Sequence, residues 1–262
     1  MKQLGLMRVL KVLLLFPMLA ASQTGTSPAR INVTGTWEGS FMGGSEFRLF
    51  QEGSRVWGKF TYGNGDGYAR GSWNEGRLIL ILTPTTDRVG GSCEPRKIAV
   101  ITTKGTATAL QPYVLDLANN TSYEGRMSRT SPSPGPAVDY PYEAELKNCG
   151  QLFTYDLAFD TNSDKLKGTE WPILEVMASL LKKDPASRIQ VTGHTDATGN
   201  ADANQDLSRR RAESVKKALT DHYGADPSRI ATKGYGAEQP LAPNDEEKGR
   251  SINRRVEIVL ER

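Results

Sequence analysis

Gly193-His194-Thr195-Asp196-Ala197-Thr198-Gly199 and, a few positions on, Leu207-Ser208-Arg209-Arg210-Arg211-Ala212 decide how the second half of this chain folds. The first group begins where a short apolar stretch around Ile189 and Val191 ends. The second lies in a polar segment with helical spacing. A strand end facing a helix start, with a carboxylate at Asp196 and a guanidinium at Arg211, makes a pocket suited to a small zwitterion. An ordinary surface salt bridge in a βα connection would use the same two charges, and charge alone does not choose between them.

Around that stretch, everything beyond Gly150 alternates between strand and helix patterns. Leu152–Phe159 reads as a strand closed by Asp160-Thr161-Asn162-Ser163. A helix is expected from about Thr169, with Glu170 in its first turn and Pro172 tolerated there because the first helical amides have no internal partner. Ile173, Leu174, Met177, Leu180 and Leu181 then recur at helical spacing and should face a core, up to the stop at Asp184-Pro185. Arg188–His194 is a second strand, and Asp202–His222 a longer helix with Leu207, Val215, Ala218 and Leu219 inward. Arg229–Tyr235 is a third strand. A loop with Pro240, Pro243 and Gly249 leads to a last strand at Arg254–Leu260. The expected product is an α+β sandwich, two helices on one face of a small mixed sheet.

Upstream, residues 31–129 look all-β. Trp37–Met42, Glu46–Gln51, Arg55–Tyr62, Tyr68–Trp73, Arg77–Thr83, Lys97–Thr103, Thr106–Tyr113 and Ser122–Ser128 are short strand-like runs between glycine-bearing turns. In Arg55–Tyr62 the side chains of Val56, Gly58, Phe60 and Tyr62 share one face and Trp57, Lys59 and Thr61 the other, as in an antiparallel strand with one buried side. About eight such strands predict a small antiparallel barrel or a sandwich. Gly35-Thr36-Trp37-x-Gly39 with Gly58 and Gly71, read as hairpin glycines, weakly resembles calycin-type barrels. That resemblance implies a small-molecule cavity, although a filled core is the expectation adopted here. A membrane-spanning barrel is excluded, because these strands are short and carry charges such as Arg48 and Lys59 where a lipid-facing band would be apolar.

The Pro-rich stretch from Thr130 to Ala137 opens a linker over residues 130–149, extended because proline removes amide donors and fixes φ. The domains are thus 31–129 and 150–262. Length agrees, since 262 residues suit one large domain or two small ones. The net charge of +3 lacks the broad basic face of a nucleic-acid binder. Lys2, Arg8 and Lys11, the apolar run Val12–Ala21 and the small residues Ala20, Ala21 and Ser22 read as a secretory signal peptide over residues 1–22, too short to span a bilayer. Export favours pairing of the chain's two cysteines, Cys93 and Cys149, over two separate thiols.

Five motifs carry a family resemblance: Phe159-Asp160-Thr161-Asn162-Ser163; Gly193-His194-Thr195-Asp196; Asn204-x-x-Leu207-Ser208-x-x-Arg211-Ala212; Gly234-Tyr235-Gly236; and Gly249-Arg250-x-x-Asn253-Arg254-Arg255-Val256-Glu257. In this order and spacing they resemble the OmpA-like domain shared by flagellar motor stators and peptidoglycan-associated lipoproteins. The resemblance implies non-catalytic binding of peptidoglycan at the diaminopimelate of its stem peptide. It places Asp196 on the ligand ammonium and Arg211 on its carboxylate, an arrangement that suits a planar guanidinium. Asp160, Thr161 and Asn162 would form a wall, and Thr195, Asn204, Leu207 and Arg254 would complete the pocket. It further implies a periplasmic, wall-associated protein with peptidoglycan as partner and a possible contact to an outer-membrane or envelope protein.

No cofactor is expected. The chain's two histidines, His194 and His222, have no Cys/His cluster around them, so no metal site is expected and His194 reads as structural. Arg255 reads as a solvated arginine. With no Gly-x-Ser-x-Gly elbow or nucleophile–base pair in the sequence, an enzyme is not expected. The alternative function is a carrier of a small apolar ligand in the N-terminal barrel, with the C-terminal domain as a tether.

Overall fold

The computed structural model describes residues 31–261 except 75–76, 85–97, 118–120, 137–141, 144–145, 147–149, 156 and 169–170. The expected signal peptide and both Cys93 and Cys149 lie outside the described residues.

The N-terminal region is a closed antiparallel barrel. Its strands are β1 (Gly35–Gly39), β2 (Ser45–Glu52), β3 (Arg55–Tyr62), β4 (Gly65–Asn74), β5 (Arg77–Pro84), β6 (Ile98–Gly105), β7 (Ala109–Asp116), β8 (Thr121–Glu124) and β9 (Met127–Ser131). Neighbours pair in sequence order from β1 to β7, and β9 closes the ring by pairing with both β7 and β1. Strand β8 extends the same edge of β7 outside the ring. The expected single strand Ser122–Ser128 is therefore two, separated at Gly125-Arg126 so that β9 can turn onto β1. Strand β9 also takes in Thr130 and Ser131, which sequence reading assigns to the linker.

Inward-facing side chains fill the barrel. Trp37, Phe47, Leu49, Val56, Phe60, Leu78, Leu80, Leu82, Val100, Leu110, Val114 and Met127 are essentially without solvent contact and form one cluster. Each large apolar side chain removed from water contributes about 1.5–3 kcal/mol. Gly58 and Gly71 sit in mid-strand rather than in hairpin turns, pressed against the carbonyls of Arg48 and Ile79 in the adjoining strands.

The outward face of β5–β7 is also covered. Ile81, Ala99, Ile101 and Leu115 form a second cluster with Tyr155, Ala242 and Ile252 of the C-terminal region. Burial on both faces explains why Arg77–Thr83 reads as a continuous apolar run rather than an alternating one.

The C-terminal region comprises β10 (Gln151–Phe153), α1 (Pro172–Lys183), β11 (Arg188–Gly193), α2 (Ala201–Asp221), β12 (Ile230–Gly234), α3 (Glu247–Asn253) and β13 (Val256–Glu261). Its sheet runs β10-β13-β11-β12, with β11 and β12 parallel and the other pairs antiparallel. Both long helices pack into the sheet's core through Ile173, Leu174, Met177, Leu181, Ala212, Val215 and Leu219 against Ile189, Val191, Ile230, Val256 and Ile258.

Four expectations change here. The first strand stops at Phe153, after which Thr154 and Tyr155 bond Val256 and Ile252 and lead the chain away from the sheet edge. Helix α1 begins at Pro172, with Glu175 as the acidic residue of its first turn; Thr169 and Glu170 lie outside the described residues. The loop before the last strand contains α3, and that strand starts at Val256 rather than Arg254. Within the expected linker, Tyr142 and Leu146 are buried in the C-terminal core. Among the described residues no helix is long and apolar enough to cross a membrane.

Candidate functional site

Two glycines allow the site to form. Gly193 and Gly234 face each other at the ends of β11 and β12. A Cβ on Gly193 would overlap the carbonyl oxygen of Ser208 and sit 2.8 Å from its carbonyl carbon; one on Gly234 would sit 2.5 Å from the Arg209 nitrogen. Helix α2 therefore lies directly on the strand ends. Ser208, fully buried, accepts from the Gly236 amide at 2.9 Å and donates to the Gln205 carbonyl at 2.8 Å. This contact sets Asn204, Leu207 and Arg211 beside the loop that carries Thr195 and Asp196.

Sheet pairing persists past the strand ends, with the Thr195 amide donating to the Gly236 carbonyl at 2.8 Å. Asn200 caps α2 by accepting from the Ala203 amide, which satisfies one of the free N–H groups of the first turn. Asn204 donates its side-chain amide to the carbonyls of Asp196 and Thr198, fixing the loop between strand and helix.

The nine residues expected in a binding pocket, Asp160, Thr161, Asn162, Thr195, Asp196, Asn204, Leu207, Arg211 and Arg254, all line one cavity of about 750 Å³. Leu207, read both as an inward residue of α2 and as a pocket residue, is half-buried and lines this cavity. Asn162 has a φ of 54°, a left-handed conformation that asparagine tolerates better than most residues.

Arg211 and Asp196 each hold partners of their own among the described residues: main-chain carbonyls for Arg211, and Arg254 for Asp196. Arg211, only 7% exposed, donates to the Ser163 carbonyl at 3.0 Å and the Asp160 carbonyl at 3.4 Å, and lies over the Phe159 ring. It props the 160–163 turn against α2. Asp196 accepts from the Thr198 amide at 2.8 Å and from Arg254 at 2.5 Å. Burial raises its pKa, but the bonds from Arg254 and Thr198 outweigh that, and the carboxyl is held below its usual range. It is ionised at neutral pH. Thr195 Oγ1 is buried with no hydrogen-bond partner among the described residues, leaving a polar atom in the cavity wall to be satisfied.

Sequence reading left Glu247 and Arg250 out of the pocket. Glu247 binds Arg254 at 2.6 Å, Arg250 at 3.0 Å and Arg77 of the barrel at 2.7 Å. Their spacing, three and seven residues apart, places all three C-terminal members on one side of a helix turn and its cap. Pro240, Pro243 and Gly249 made that segment look like loop. Ser72, Arg77 and Ile79 of the barrel, also cavity-lining, carry no local signal at all.

His194 does not line the cavity. It is buried, stacks on Tyr235, and lies 3.4 Å from Thr192 Oγ1 and 3.7 Å from Glu257. Glu257 is already neutralised by Arg255 at 2.6 Å, so the imidazole gains little from it. Arg255 is thus a buried ion-pair partner rather than a solvated arginine. Burial first, and Arg255 second, push the His194 pKa down to about 3. The unfolded chain protonates this residue near pH 6.5, so between there and pH 3 the unfolded state holds the extra proton. Stability should fall by about 1.4 kcal/mol per pH unit in that window, about 2 kcal/mol by pH 5. Urea melts at pH 7 and pH 5 should show that loss, and His194→Gln should remove most of it; equal slopes for the two proteins would refute the assignment.

Among the described residues no group of His, Cys, Asp and Glu side chains is arranged to hold a metal ion. The OmpA family pattern matches residues 158–254, a span that contains all nine expected pocket residues. Over 106 residues the chain is 39% identical to outer membrane porin F of Pseudomonas aeruginosa, covering 40% of this chain and 30% of that one. It is 33% identical over 157 residues to the peptidoglycan-binding protein ArfA of Mycobacterium tuberculosis, covering 60% and 46% of the two chains. It is also 30% identical to the peptidoglycan-associated lipoprotein from Burkholderia pseudomallei, with a TM-score of 0.38, covering 40% of this chain and 88% of that one. The chain spans between 30% and 46% of the length of the two curated relatives named here.

Proposed function

We propose, from the match of residues 158–254 to the OmpA family, that the protein binds peptidoglycan without catalysis and anchors its β-barrel to the cell wall. The ligand group is the free end of the stem-peptide diaminopimelate. The observation that carries this reading is the convergence of Asp160, Thr161, Asn162, Thr195, Asp196, Asn204, Leu207, Arg211 and Arg254 on one cavity, which thereby holds a carboxylate at Asp196 and a guanidinium at Arg211. A free amino-acid end carries an ammonium and a carboxylate close together. Asp196, kept ionised by Arg254, takes the ammonium. The Arg211 guanidinium takes the carboxylate, and Thr195 Oγ1 supplies a further hydrogen bond. The names of the relatives support an envelope location, and with the N-terminal expectation of export we place the protein in the periplasm at the wall.

The test is co-sedimentation with purified peptidoglycan. Asp196→Ala and Arg211→Ala should each weaken retention about tenfold to a hundredfold, since a charge-assisted hydrogen bond is worth about 1.5–3 kcal/mol. A wild-type protein that stays in the supernatant, or two variants retained as well as wild type, would sink the proposal.

A further inference from the structure

The cavity is not built by the C-terminal domain alone. Strand β4 alternates Ala69, Gly71 and Trp73 toward the barrel interior with Tyr68, Arg70 and Ser72 on the outside. Those outer side chains face the C-terminal region: Tyr68 packs on its core, Arg70 lies over Tyr142, and Ser72 reaches the cavity. Strand β5 places Ile79 in the cavity wall and Ile81 in the apolar seam with Tyr155 and Ile252. On β7, Tyr113 receives Lys248 of α3 over its ring at 3.8 Å. The seam is continuous from apolar centre to charged edge, and that edge is the cavity rim.

At the rim, Arg77 and Arg254 share one oxygen of Glu247, at 2.7 and 2.6 Å, while Arg254 reaches Asp196 with its other terminal nitrogen at 2.5 Å. A chain of alternating charge thus runs from the barrel surface to the carboxylate assigned to the ligand ammonium. Arg254 is held by two carboxylates at once, and its aim depends on where Glu247 is held. Glu247 is half-exposed on a helix of seven residues. A carboxylate so placed keeps one rotamer only if its partners fix it, and the barrel provides one of them.

We propose that the β-barrel forms the second wall of the peptidoglycan site, with Arg77 as a positioning residue that acts through Glu247 on Arg254. This rests on the binding function proposed above and extends it: the site has two domains, and the barrel participates in recognition instead of being passive cargo. Ser72 and Ile79 are the barrel residues that a bound stem peptide meets directly.

The full chain with peptidoglycan sacculi tests this. Retention of the wild type establishes the binding function first; without it, that reading fails before this one is reached. With wild type bound and thermal melts matching, Arg77→Ala is expected to weaken retention about threefold to tenfold. Arg77→Lys should recover at least half of the loss, because the cation returns to Glu247. In a Glu247→Gln background the further change Arg77→Ala should have little effect, as both substitutions cut the same chain. Ser72→Tyr, which adds bulk to the cavity from the barrel side, should reduce retention independently. Unchanged retention in Arg77→Ala and Ser72→Tyr, or a loss that Lys does not rescue and that persists without the Glu247 carboxylate, would overturn the proposal.

Discussion

Gly193→Ala is expected to lower the stability of the C-terminal domain by about 3 kcal/mol or more, a fall in Tm of roughly 10 °C or more. The added methyl would overlap the main-chain carbonyl of Ser208, with the Ser208 Cα only 3.2 Å away. Backbone in the middle of a helix cannot swing aside as a side-chain tip can, so α2 must lift off β11 or β11 must bend. Either movement separates Ala212 and Val215 from Ile189 and Val191, all of them fully buried in the domain core. It also breaks the Ser208–Gly236 bond and carries Arg211 away from the 160–163 turn. Thermal melts by circular dichroism check this, with peptidoglycan retention measured below the transition. A melt within about 2 °C of wild type would show that the close approach is not needed.

Arg255→Met should cost about 3–5 kcal/mol, the range for removing one member of a buried ion pair. Arg255 is 5% and Glu257 8% exposed, and their side chains bond at 2.6 Å. Arg255 also donates to the carbonyls of Gln239 and Asn253, so its guanidinium joins the β12–α3 connection to the start of β13. Left alone, Glu257 would keep the Gln151 amide at 2.6 Å and the neutral His194, which do not balance a buried negative charge. The double variant Arg255→Met/Glu257→Leu should recover most of the loss, because a pair replaced by apolar groups of similar volume leaves no orphan charge. Urea denaturation of both variants provides the measurement. If the double variant is as unstable as the single one, packing and the two carbonyl contacts, not charge compensation, account for the cost.

The two arginines at 254 and 255 mark where sequence reading succeeded and where it failed. Arg254 was placed in the pocket through a motif, and it lines the cavity. Its neighbour was read as solvated because an arginine at a strand start usually reaches water. Which of two adjacent arginines is buried depends on which face of β13 each occupies and what covers that face, and neither is a local property. His194 was read as structural because no second ligand or base accompanied it. That reading agrees with its place beneath Tyr235, away from the cavity.

Several features were legible from residues alone. Alternation in Arg55–Tyr62 located β3 to the residue, and helical spacing located α1 and α2 to within a few positions, because apolar periodicity reflects which side of an element meets a core. The motif spacing grouped nine residues that line one cavity. Closure of the barrel through β9, the short helix α3 hidden among prolines and glycine, and the packing of the barrel's outer face on Tyr155 and Ile252 were not legible. Nor was the link from Arg77 to Glu247, two residues 170 positions apart with unremarkable neighbours. The sequence by itself determined most of the elements and the residue types that line the cavity around Asp196 and Arg211, since both are written in local pattern and residue type. Only the tertiary structure decided what stands beside that pocket, because contacts between distant segments depend on how completed surfaces fit, and no single stretch of chain carries that information.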